Sequence, residues 1–216
     1  MIHGETMMGC GMNWGLKALL ALLLSGAANP SSAGQDLVLT LRIDHFSAQR
    51  GMEVRALCAR LNIPCGMELR GQRTFDFDSW FEAEDISVSS LLDKLTVGPL
   101  AGYGWRMRRG VLEIAPKAVL SGKTKSPLDI KIEAIELSDV SPLHAAKSIC
   151  AQAGIIYTGL RSVVSGRKGP YPPRKISLRL KDVTVREALD ELVRKNGRSM
   201  WFFYDYPPGE IDFEYW

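Results

Sequence analysis

Cysteine and histidine are scarce in this chain, with four of the first and three of the second among 216 residues. That scarcity leaves little from which to build a metal centre or a histidine-based acid–base site. An excess of one charge is also lacking: 27 Lys and Arg face 24 Asp and Glu, and the net +3 calls for no nucleic acid. Aromatic residues make up only 8%, and no apolar run reaches the roughly 20 residues that span a bilayer as a helix. A serine nucleophile elbow, a phosphate-binding loop and a dinucleotide fingerprint are all missing. What remains, 46% hydrophobic and 24% charged, is the composition of a globular protein, which sets aside the disordered and fibrous classes.

The N-terminus has the pattern of an export signal. Lys17 precedes the apolar run from Ala18 to Leu24, the small residues Ser25, Gly26, Ala27 and Ala28 follow, and Ser31-Ser32-Ala33 supplies an A-x-A-like site. The expectation is a signal peptide over residues 1–33, cleaved after Ala33, and a periplasmic mature chain with no transmembrane segment. Cys10 lies ahead of the apolar run, where no lipid anchor is attached. Cleavage removes one acid, Glu5, and one base, Lys17, so the net charge stays at +3. Cys58, Cys65 and Cys150 then face a compartment that permits disulfides, and their odd number leaves at least one thiol free or paired between chains. Cys65, just beyond Pro64 at an expected helix exit, is the candidate disulfide partner of Cys58.

The mature chain repeats itself. Residues 54–63 lie over 146–155 with Cys58 on Cys150, and residues 86–95 lie over 183–192. Trp105 then falls near Trp201, and Gly110 near Gly209, in the same order. Val88, Leu91, Leu92 and Leu95 fall at i, i+3, i+4 and i+7, as do Val185, Ala188, Leu189 and Leu192, which puts an apolar stripe on each helix. Thr184 and Glu187 fit a capping box. Strand character marks residues 37–43, 105–108, 131–137 and 176–180. The expected fold is therefore α+β: two small tandem modules, each β-α-β-β-α-β-β with its helices on one face of a small sheet. Their expected spans are 34–116 and 130–216, with a linker at 117–129 where sustained apolar periodicity is absent. Residues 161–175, rich in Gly, Pro, Arg and Lys, read as a solvated insertion.

The run ISLRLKDVTVREALDELVRKNGRSMWFFYDYPPGEIDF resembles the short N-terminal domain of secretins and TonB-dependent receptors. Val183-Thr184 and Glu187 to Leu192 carry the likeness, and residues 143–157 look like the first half of the same module. Residues 41–115 resemble it less closely, lacking the Thr-x-x-Glu box and carrying the unusual stretch from Thr74 to Phe81. The resemblance implies a periplasmic docking or signalling module that contacts an envelope protein, a secretion or receptor component. It brings no catalytic residues, no cofactor and no metal. The family's barrel or pore has no counterpart in these 216 residues.

Other chemistries have weak footing. Asp44 and His45 are neighbours in a strand and point to opposite faces, and His144 falls in the first turn of a helix. Cys58 and Cys65 are too widely spaced for a zinc knuckle. The acidic run Asp76, Asp78, Glu82, Glu84, Asp85 lacks the glycine-bearing calcium loop. The alternative to a docking module is a periplasmic hydrolase or carbohydrate-binding protein using Asp76, Asp78 and Trp80.

A partner surface follows from comparing the terminal hairpins. With Trp105 and Met107 turned to the helices, Arg106 and Arg108 face out. Laying Trp201 over Trp105 sends Phe203 inward and puts Met200, Phe202 and Tyr204 on the outer face, an aromatic patch for a partner protein or for the first module. A slipped register would bury all three instead.

Overall fold

The computed structural model describes residues 37–70, 79–157, 174–197, 199–205 and 210–215. The signal peptide, Asp76, Asp78, Gly209 and nearly all of the Gly/Pro-rich stretch lie outside the described residues. The fold is mixed α+β. Its first half runs β1 (Arg42–Gln49), α1 (Glu53–Leu61), β2 (Cys65–Arg70), β3 (Trp80–Ser87), α2 (Val88–Val97), β4 (Tyr103–Arg108) and β5 (Val111–Pro116). A short helix α3 (Lys117–Leu120) and a 3-10 turn (Pro127–Asp129) follow. The second half runs β6 (Lys131–Val140), α4 (Pro142–Gln152), β7 (Ile156–Tyr157), β8 (Ile176–Thr184), α5 (Val185–Asn196), β9 (Ser199–Asp205) and β10 (Glu210–Tyr215). None of the described helices is long and apolar enough to cross a membrane.

Equivalent local devices recur in the two halves. Ser87 caps α2 by accepting from the Ser90 N–H, and Thr184 caps α5 by accepting from the Glu187 N–H, with the Glu187 carboxylate returning to the Thr184 N–H at 2.9 Å. Two residues before each cap, Asp85 and Asp182 adopt positive φ, 40° and 53°. The Val88 N–H donates to the Leu41 carbonyl, as Val185 does to Ile130. At the exits of α1 and α4, the N–H groups of Ile63 and Ile155 close on the carbonyls of Cys58 and Cys150. Trp105 Nε1 donates to Asp93 at 2.9 Å, and Trp201 Nε1 to Asp190 at 3.0 Å. The β4–β5 hairpin turns through Arg109 and Gly110, both at positive φ, as a two-residue loop of type I′ geometry requires.

The halves share one sheet. Its strand order is β4-β5-β2-β9-β10-β7, so three strands from each half join where β2 and β9 pair in parallel. Two separate antiparallel ribbons, β1–β3 and β6–β8, complete the strands. This departs from the expected pair of small sheets, each with helices on one face. Strand alternation lets the shared sheet carry a core on each face. Cys65, Met67, Leu112, Ile114 and Met200 enter a core with α1 and α2, while Val111, Trp201, Phe203 and Ile211 enter another with α4 and α5.

Two local expectations also need correction. Residues 37–40 are helical, and the strand begins only at Arg42. The expected linker carries the short helix and the 3-10 turn, and Leu128 is buried in the second core.

Candidate functional site

The densest charged constellation among the described residues lies where the halves meet. β4 and β5 bring Arg106, Arg108 and Glu113 to the sheet face covered by α5, and α5 presents Arg186, Glu187 and Asp190 to them. Arg106 holds Glu113 Oε2 with both Nε and Nη2, at 2.9 and 2.6 Å. Arg108 stands between the halves, with Nε 2.5 Å from Glu113 Oε1, Nη2 2.7 Å from Asp190 Oδ2 and Nη1 3.4 Å from Glu187 Oε1. Asp190 Oδ1 accepts from Trp201.

A second network lies beside it. Glu68 on β2 is fully buried and takes a close charge-assisted hydrogen bond from Arg186 of α5 and another from Arg70 Nε at 3.1 Å. Arg70 also reaches Asp205 of β9 at 3.4 Å and donates to the Lys125 carbonyl at 2.8 Å. The Arg186 guanidinium lies over the Trp201 ring, 5.9 Å from its centre. A Cβ built on Gly66 would sit 2.2 Å from that indole, so only glycine allows the close approach.

Burial sets the protonation states. Burial first, then the neighbouring Glu113, pushes the Asp190 carboxyl up to about 8, against the pull of Arg108. Glu113 moves the other way: burial opposes its charge, but a hydrogen bond with Asp190 and the charges of Arg108 and Arg106 outweigh it. Glu187 is held low chiefly by the Thr184 N–H. Two carboxyls with separated affinities for a proton resemble an acid–base pair. The space beside them, lined in part by Arg109, Val111 and Arg194, is about 10 Å³, room for one water and not for a substrate.

The residues singled out from sequence are placed as follows. Met200 is fully buried, and Phe202 and Tyr204 are half-buried against the first core, with their rings stacked at 6.3 Å. They turn away from Trp201 and Phe203, as expected, and pack against the first half under α1 and α2, the first-module alternative, so they form no open face for a separate partner. Arg108 does not face solvent freely, because α5 meets it with Asp190 and Glu187, while Arg106 pairs with Glu113 of the neighbouring strand and stays 38% exposed. Cys58 and Cys65 form a disulfide, and Cys150 is a buried free thiol pushed up to about 12 by burial. Trp80 is 61% exposed at the end of β3, and its proposed companions Asp76 and Asp78 lie outside the described residues. His45 is exposed, with Nδ1 3.8 Å from Glu84, and Asp85 pairs with Arg42 on the surface. Among the described residues, no group of three or more His, Cys, Asp or Glu side chains could hold a metal ion.

Glu68, Glu113, Arg186 and Asp190 were not singled out from sequence. Glu113 gave one signal, a lone acid inside the apolar run Val111-Leu112-Glu113-Ile114-Ala115. Asp190 gave another, lying over Asp93 in the internal alignment. The chain matches no protein-family model, no curated protein and no solved structure.

Proposed function

We propose that the chain is an exported, periplasmic protein–protein interaction module, acting in docking or signalling without catalytic activity, and built from two tandem copies of one β-α-β-β-α-β-β unit. The repeated Trp–Asp hydrogen bonds, caps and positive-φ aspartates support the duplication. The observation that carries the docking reading is the β2–β9 pairing. There one copy recognises the other by strand addition, an indole laid over a glycine, and buried charge pairs. A unit that recognises a protein surface in this way within the chain has the equipment to do so between chains. Likeness to the secretin and TonB short domain, together with the signal-like N-terminus, puts the expected partner in the envelope.

The test is photo-crosslinking in intact cells, with the probe at exposed positions on the two free ribbons, such as Glu84 and Arg179. Discrete adducts with one envelope protein are expected. Saturable glycan binding or hydrolysis that depends on Trp80, with no protein adduct from any position, would overturn the reading in favour of the carbohydrate alternative.

A further inference from the structure

We propose that Glu113 and Asp190 share a single proton across the junction of the halves, and that this proton is a latch whose loss in alkaline solution weakens the seating of α5 on the β4–β5 hairpin. Arg108 presents a forked donor edge at the junction. Its Nε and Nη2 form the edge that ordinarily takes both oxygens of one carboxylate. Here that edge is shared by oxygens of two carboxyls, Glu113 Oε1 at 2.5 Å and Asp190 Oδ2 at 2.7 Å. The acids are thereby forced together in a site where the side chains are 0% and 8% exposed. Two carboxylates in such contact cannot both ionise.

One oxygen shows where the proton goes. Glu113 Oε1 has no aligned hydrogen-bond donor among the protein's described groups, because Arg108 Nε is close to it but poorly directed. Asp190 Oδ2 is held on the same Arg108 edge, and an O–H there supplies the donor. Arg106 and Arg108 pair with the anions Glu113 and Glu187, and the charge of Arg109 also acts on Glu187.

The other charged groups around the pair are Arg109 in the hairpin turn, Arg186, Glu191 and Arg194 on α5, and Glu68 on β2. Arg194 is taken up by Glu191, and Arg186 by Glu68. The pair spans the halves, since Glu113 lies on β5 and Asp190 on α5. Release of the proton leaves two buried carboxylates side by side on Arg108, and their repulsion then acts directly between the hairpin and the helix.

The sign follows from linkage. Asp190 binds its proton more tightly folded than unfolded, so its contribution to stability is complete below the unfolded value near 3.9. It is lost as pH rises through the folded value of about 8, and the profile flattens beyond it. Across that window one extra bound proton makes the unfolding constant rise by up to about tenfold per pH unit.

The experiment is urea unfolding of the full mature chain from pH 5 to 9.5, for the parent, Asp190→Asn and Glu113→Gln. Asn keeps an acceptor for Trp201 and offers an N–H to Glu113, while losing the bond that Oδ2 accepts from Arg108; Gln leaves Asp190 free to ionise beside Arg108. Both variants are expected to lose the parent's decline between pH 5 and 8, above which the parent profile flattens. A flat parent profile, or variants that keep the parent's slope, would overturn the latch. Where a variant fails to fold, the ¹³C carboxyl titration of Asp190 in the parent decides: a midpoint near 8 is expected, and one below 6 contradicts the proposal.

Discussion

The indole of Trp201 lies directly on Gly66, its register partner across the β2–β9 pair. A Cβ at position 66 would approach ring atoms to 2.2 Å, and the indole cannot retreat, because Asp190 holds Nε1 and the Arg186 guanidinium lies over the ring. Gly66→Ala is therefore expected to lower stability by roughly 1–3 kcal/mol through overpacking. Urea unfolding checks it, and a variant as stable as the parent would show that the indole does not rest on this strand.

The two Trp–Asp pairs make a matched comparison. Trp201 is fully buried, and Trp201→Phe leaves a void and a buried Asp190 oxygen without its donor, a loss of about 2–4 kcal/mol. Trp105 is only partly buried and its partner Asp93 is exposed, so Trp105→Phe should cost about 1 kcal/mol or less. Equal losses in the two variants would contradict the different burial of the two tryptophans.

Arg186 neutralises a carboxylate that water cannot reach. Arg186→Met leaves Glu68 with Arg70 as its remaining ion-pair partner and is expected to cost about 3 kcal/mol. Adding Glu68→Gln should recover most of that loss, since the charge is then gone. If the two losses simply add, the residues are not coupled.

Thiol counting tests the cysteine assignment. Denatured but unreduced protein beginning at residue 34 should release one reactive thiol per chain, that of Cys150, because Cys58 and Cys65 are joined. In the native state at pH 8 that thiol is buried and pushed up to about 12, so labelling should wait on unfolding. Rapid labelling of native protein would contradict the packing of α4.

Much of the secondary structure was legible because it is local. Helix stripes, the Thr184–Glu187 box and the tryptophan overlay all depend on spacing within a few residues, and the structure places Trp105 and Trp201 on matching aspartates. The shared sheet was not legible. In β2, Gly66, Glu68 and Arg70 alternate with Cys65, Met67 and Leu69, and this reads as a strand with one wet face. That polar face is instead covered by the second half, and a parallel pairing between residues far apart in sequence leaves no local trace. The same reasoning turned Arg106 and Arg108 outward, whereas Arg108 is taken up inside the junction. At residues 37–40, aliphatic composition suggested a strand and the chain formed a helical turn, a case of context overriding propensity.

The joining of the halves through β2 and β9 is the claim on which the docking account rests, and amide hydrogen exchange over residues 65–70 and 199–205 measures it. Both segments should exchange only with global unfolding, at the same rate as the core helices α1 and α5. If either segment exchanges orders of magnitude faster than those helices, each is a free edge, and the halves are not joined by strand addition.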